Sequence, residues 1–158
     1  TYAGKLLEPE DYEDRAIHTE DFGAILLRLG DRARGAFTIN QVAAGRKNRL
    51  LLEIYGTKRG LAWDGESPNE LWIGRRDGNN ELVVKDPSLL DPQARAYADL
   101  PGGHAEGYGD TFKQLFRRFY AALQGQPAEI PTFAAGLRQL RLIDAVLDSS
   151  SRNAWVTT

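Results

Sequence analysis

Between residues 21 and 85 the apolar positions alternate with polar ones or gather in short runs, and beyond residue 110 their spacing lengthens to that of a helix. Phe22 to Leu29 is an apolar run closed by Gly30-Asp31, a turn signal. Gly35 to Val42 alternates, with Phe37 and Ile39 on one face and Thr38 and Asn40 on the other. Leu50, Leu52 and Ile54 share a face, with Leu51, Glu53 and Tyr55 opposite. Gly56 to Gly60 reads as a turn and Leu61 to Asp64 as a short strand. Leu71 to Arg75 and Glu81 to Lys85 flank Asp77-Gly78, a hairpin signal because glycine tolerates positive φ. Consecutive strands joined by short turns pair antiparallel.

Residues 86–103 break this pattern with Pro87, Pro92, Pro101 and Gly102-Gly103, and Asp91-Pro92 suits the start of a short helix. Phe112, Leu115, Phe116, Phe119, Tyr120 and Leu123 then form one apolar stripe of a helix over 110–124. Asp110 suits its N-cap, Gly125 its C-terminal stop, and Lys113, Arg117 and Arg118 its wet side. A second helix is expected from Pro131 to Asp148, ended by Ser149-Ser150-Ser151, with a last strand at Ala154 to Thr157. The fold class predicted is α+β: a mainly antiparallel, open-faced sheet with helices packed on one face. Several strands are apolar on both faces, so the other face is expected to serve oligomerisation. Residues 1–20, acidic and polar, read as an extended arm, leaving 21–158 as the domain proper.

The length of 158 residues fits one domain able to bury roughly 70% of its unfolded surface. No cysteine is present, which removes disulfides and thiolate metal sites and agrees with a cytoplasmic location. The net charge of −2 and the short basic pairs Arg75-Arg76 and Arg117-Arg118 give no basic stripe, so no nucleic-acid partner is expected. No apolar run approaches the ~18 residues that span a bilayer, so no membrane partner is expected either.

Candidate chemistry gathers in Pro101 to Asp110, where four glycines surround His104, Glu106, Tyr108 and Asp110 just ahead of a helix. Glycines admit a ligand close to the backbone, and a helix start offers free N–H donors. His104 can move protons near neutral pH, and Tyr108 can bond a hydroxyl-rich ligand. The same residues also suit a tight loop that caps the helix and meets water. A metal site from His104, Glu106 and Asp110 matches no strong spacing. His18 in the acidic arm reads as solvent-exposed. No G-x-G-x-x-G, no P-loop and no G-x-S-x-G is present. Trp63, Trp72 and Trp155 lie in or beside strands and suit packing.

An ordered set of segments resembles the glucose–fructose oxidoreductase, inositol dehydrogenase and MocA family (Gfo/Idh/MocA). The set comprises Thr19 to Phe22, Gln41 to Asn48, Glu53 to Lys58, Leu61 to Asp64, Pro68-Asn69-Glu70-Leu71-Trp72, Gly103-His104-Ala105-Glu106-Gly107-Tyr108, Pro131-Thr132-Phe133, Ser150-Ser151-Arg152 and Trp155-Val156. The resemblance implies the C-terminal α+β domain of an enzyme whose N-terminal Rossmann domain holds NAD or NADP. It implies a domain that shapes a sugar or polyol pocket and pairs with itself, sheet on sheet, to form a homo-oligomer. It also implies that His104, Glu106 and Tyr108 lie on the substrate side, with Arg46 and Lys47 near the pocket or its rim.

The family's Rossmann fingerprint and its lysine before proline are not found here, the early part of the C-terminal domain that carries the family's Asp-x-x-x-His pair is expected to be missing, and Ala135 replaces an aspartate of the family pattern. The expectation is therefore a fragment that binds no cofactor and is inactive alone, taken from an NAD(P)-dependent dehydrogenase of sugars or polyols. No residue is a certain catalyst; His104 is expected as a substrate hydrogen-bonding group or accessory acid/base, and Tyr108 and Glu106 as substrate contacts. A non-catalytic self-associating sheet module and a sugar-binding domain remain as alternatives.

Overall fold

The computed structural model describes residue 16 and residues 18–158. Most of the expected acidic arm lies outside them; residues 16 and 18–20 form neither helix nor strand. The described chain falls into two compact units that meet between Gly45 and Arg46.

The first unit is a hairpin of β1 (Phe22–Leu29) and β2 (Ala33–Asn40), paired antiparallel from Phe22 opposite Asn40 to Leu29 opposite Ala33. Its turn uses Gly30 at φ 58, where other residues would be strained. Ile25 faces Phe37 and Gly23 faces Ile39, the pairing that alternation in β2 anticipated. Gly35 lies under Leu27, which closes over it at ordinary contact distance.

The second unit carries a four-stranded antiparallel meander, β3 (Leu51–Tyr55), β4 (Arg59–Asp64), β5 (Glu70–Arg75) and β6 (Glu81–Val84), in spatial order of sequence. Residues opposite each other in a ladder share a face. Leu52 and Ile54 therefore stand with Trp63 and Leu61, and Tyr55 stands with Gly60. Strand β5 adds Ile73 beside Leu61, and Trp72 beside Ala62 on the other side. Both faces are thus apolar, as the sequence pattern implied. The α+β class holds, but the strands form two antiparallel sheets, not one.

Two glycines make the Tyr55–Trp72 face possible. A Cβ on Gly74 would sit 2.3 Å from Cη2 of Trp72, and one on Gly60 would sit 2.9 Å from Cδ1 of Tyr55. The rings lie across bare backbone, so the absence of a side chain is the packing requirement here.

Three helices follow: α1 (Pro92–Arg95), α2 (Tyr108–Leu123) and α3 (Phe133–Arg152). Asp91 caps α1 through bonds from the amides of Gln93 (2.8 Å) and Ala94 (2.9 Å), with Pro92 at the first position as expected. Helix α2 begins two residues ahead of the sequence reading. Gly107 takes the cap position, and Asp110 sits in the first turn with its carboxylate on the Gly107 amide at 2.9 Å. Gly125 follows its end at φ 75, as the sequence indicated.

Helix α3 runs through the serines expected to end it. Ser151 Oγ donates to the Asp148 carbonyl, Ser149 Oγ donates to the Ala154 carbonyl, and Arg152 pairs with Asp148 one turn back. With the Ser151 hydroxyl satisfied inside the last turn and that of Ser149 by the chain just past it, these serines need not leave the helix. Asn153 stops it in the left-handed region, φ 49, and residues 154–157 form no strand.

The polar side of α2 also differs from expectation. Lys113 and Arg117 bind the Asp99 carboxylate, Gln114 is buried and donates to the Tyr97 carbonyl, and Arg118 stacks over the Tyr97 ring at 5.4 Å. The face read as wet is the one docked on residues 97–99. The apolar stripe from Phe112 to Leu123 and that of α3, led by Phe133, stay exposed. Among the described residues Ala98 is the only buried apolar side chain. The expected large core is absent because helix stripes and sheet faces remain unmatched among these residues.

Replacing Gly74 by alanine should drive Trp72 off its backbone seat. A loss of about 1–3 kcal/mol in unfolding free energy and a shift in tryptophan emission are expected. Thermal unfolding with fluorescence detection checks both, and an unchanged emission spectrum would show that the ring does not rest there.

Candidate functional site

Residues 101–110 leave the sheet region and enter α2 through a loop that Gly103 turns at φ 79. Three elements hold this loop. The end of β6 supplies Lys85, the β4–β5 turn supplies Asn69, and the segment after α1 supplies the amides of Asp99 and Leu100.

Glu106 is the meeting point. One carboxylate oxygen accepts from the Asp99 amide at 2.7 Å and the Leu100 amide at 3.1 Å. The other is paired with the Lys85 ammonium. Lys85 also donates to the carbonyls of His104 (3.1 Å) and Leu100 (3.3 Å), so its three protons all have acceptors. Both side chains are nearly buried, with 14% exposure for Lys85 and 10% for Glu106. Asn69 completes the clamp: its Nδ2 donates to the His104 carbonyl at 3.2 Å, and its Oδ1 accepts from the Glu106 amide at 3.4 Å. Burial pushes the Glu106 carboxyl up, but the bonds from Lys85, Asp99 and Leu100 outweigh it and hold the group below its ordinary value.

His104 and Tyr108 stand outside this network. The His104 ring approaches the Gly102 carbonyl with Nδ1 at 3.3 Å. A carbonyl only accepts, so in that contact Nδ1 carries the proton and Nε2 of the neutral ring is an acceptor. Tyr108 is 71% exposed, its ring meeting Phe112 edge-on at 5.0 Å. Neither His104 Nε2 nor the Tyr108 hydroxyl has a hydrogen-bond partner among the described residues. Asp110 is committed to the Gly107 amide and Lys113, and the Lys113 bond is the larger cause that draws its carboxyl down.

Arg46 pairs with Glu66 at 2.9 Å, and Lys47 is exposed. No hydrogen bond or ion pair among the described residues joins either to the His104 loop. Arg46 shares a support with it, since Glu66 and Asn69 both belong to the β4–β5 turn. Lys85 and Asn69 escaped the sequence reading. Both stood inside recognised segments, yet only the fold shows that their side chains turn toward residue 104.

The arrangement can present a hydrogen-bond acceptor and a hydroxyl to a polar ligand. A shallow cleft of about 370 Å³ opens beside the loop, lined by Asp86, Arg95, Asp99 and Gly102 among others, and His104 does not line it. Among the described residues no three His, Cys, Asp or Glu side chains converge to hold a metal, and no helix is long and apolar enough to cross a membrane.

Glu106→Ala should cost about 3 kcal/mol, since it leaves the Lys85 charge nearly buried without a partner. The Glu106 carboxyl lies below its ordinary value of 4.5, so its contribution is complete above that pH and is lost as pH falls through the lowered value. Urea unfolding across pH 3 to 7, about one unit per step, checks both. Glu106→Gln should flatten that acid limb of the stability profile.

The family model described as the oxidoreductase family's C-terminal alpha/beta domain matches residues 2–158. An oxidoreductase structure from Sinorhizobium meliloti superposes with a TM-score of 0.82 at 31% identity, covering 89% of this chain and 42% of that one. An inositol dehydrogenase homologue from Azotobacter vinelandii, complexed with NADH and myo-inositol, superposes at 0.78 with 24% identity, covering 88% and 39%. The levoglucosan dehydrogenase of Pseudarthrobacter phenanthrenivorans is 23% identical over 89% of this chain and 36% of its own length. The chain thus spans about two fifths of the length of these relatives. With the family model matched along nearly its whole length, the chain belongs to the Gfo/Idh/MocA oxidoreductases, within their C-terminal alpha/beta domain.

Proposed function

We propose that this chain is the substrate-side domain of an NAD(P)-dependent dehydrogenase that oxidises a secondary alcohol of a sugar or polyol. One observation carries the reading. His104 Nε2 and the Tyr108 hydroxyl are left without partners on a loop whose other polar side chains, Glu106 and Asp110, are tied down. A hydroxyl-rich substrate meets such a pair well, because His104 accepts from a substrate hydroxyl while Tyr108 donates or accepts. Oxidation of an alcohol requires its proton to leave, and His104 is placed as an accessory acceptor for it. Glu106 belongs to the substrate side by its place in the loop, and Arg46 and Lys47 to the rim.

Relatives in complex with NADH and with myo-inositol or levoglucosan support the substrate class and the cofactor. Residues elsewhere in the parent would hold the dinucleotide. This chain alone would then not turn over substrate. The apolar sheet faces support self-association, with a second copy as the partner.

In the full-length protein, a polyol and sugar panel with NAD⁺ and NADP⁺, followed by nicotinamide absorbance, should reveal turnover. His104→Ala should lower kcat/KM roughly 10- to 100-fold, for the loss of one substrate hydrogen bond together with an accessory proton acceptor. Turnover that His104→Ala leaves intact would overturn the assignment. Light scattering across a concentration series should return the mass of a dimer or larger, and a monomer throughout would remove the sheet-pairing reading.

A further inference from the structure

We propose that Lys85, Glu106 and Asn69 form a positioning device for His104, and that Glu106 serves the site through the backbone without touching substrate. The inference rests on the reading that the His104 loop meets the substrate.

The lone pairs of Glu106 decide the point. Oε1 already accepts from two amides, Asp99 and Leu100, and Oε2 holds Lys85. The side chain is 90% withdrawn from solvent. Oε1 is filled, and a substrate hydroxyl would have to displace an amide there or reach the one lone pair left on Oε2, beside Lys85 and nearly out of solvent. What Glu106 does instead is fix where Lys85 sits. Lys85 then shares the His104 carbonyl with Asn69, and Asn69 also takes the Glu106 amide.

The peptide on either side of Ala105 is thus held from the sheet side by two donors and one acceptor. The amides of Asp99 and Leu100 connect the same carboxylate to the segment on which α2 docks through Lys113, Gln114 and Arg117. The histidine ring stays mobile only about its own side-chain bonds, while its Cα is set by three elements of the second unit. A site built in this way loses geometry, not a contact, when the support is removed.

The test reads His104 directly. The chain has two histidines, so the ring carbon–proton resonances of His104 are assigned by comparison with His104→Ala. Glu106→Gln and Lys85→Met should each move the His104 resonances, and the double variant should move them by less than the sum of the singles. Asn69→Ala buries no charge and so gives a folded control. It should accelerate amide exchange at residues 104–106 at least about tenfold.

In the full-length protein, Glu106→Gln should lower activity by a similar factor for every member of a polyol panel, preserving their order. His104 resonances unmoved in Glu106→Gln, or a reordered panel, would overturn the inference and make Glu106 a substrate contact. Activity insensitive to His104→Ala would instead overturn the underlying reading of the loop, with the resonance shifts still deciding whether the clamp exists.

Discussion

The Lys85–Glu106 ion pair is the joint on which the second unit's loop region depends. It unites the end of β6, the segment after α1 and the approach to α2, and Asn69 adds the β4–β5 turn. A nearly buried pair of charges is costly to form, because both ions leave water. Here the cost is offset by complete satisfaction: every proton of the ammonium and both oxygens of the carboxylate have partners. Once such a network exists, partial versions of it are strongly disfavoured, which gives the loop one geometry.

The unit's polar interior contrasts with its apolar exterior. Helix α2 is docked by Lys113, Gln114, Arg117 and Arg118, and its phenylalanines face outward. This inversion has a physical reading: residues 97–99 offer a carboxylate, a carbonyl and an aromatic ring face, each better matched by cations and an amide than by phenylalanine. The apolar stripe is then free for another surface, as are the two faces of the β3–β6 sheet. The same division suits a domain whose hydrophobic surfaces are completed by association and whose ligand-facing loop is set by polar bonds.

Much of the fold was legible in the chain because its signals are local. Alternation located Phe37 and Ile39 on one face, Asp77-Gly78 marked the β5–β6 hairpin, and Asp91-Pro92 marked the start of α1. Errors arose where a local signal had two solutions. Asp110 serves equally as a cap or, as found, as a first-turn acceptor for the Gly107 amide. The serines near 150 can end a helix or satisfy themselves within it. The charged side of α2 can meet water or Asp99, and nothing within the helix itself distinguishes the two.

By itself the sequence determined strand and helix periods, the glycine-rich loop and the identity of the groups it carries, because these depend on neighbours a few residues apart. Tertiary structure alone decided which of those groups are occupied. Lys85 and Asn69 lie 21 and 37 residues from Glu106, and their bonds make it the anchor of the loop. Among the polar side chains of the loop, His104 Nε2 and the Tyr108 hydroxyl are the groups left unclaimed. Periodicity reports which face a side chain occupies, whereas hydrogen-bond saturation depends on what distant segments bring to that face.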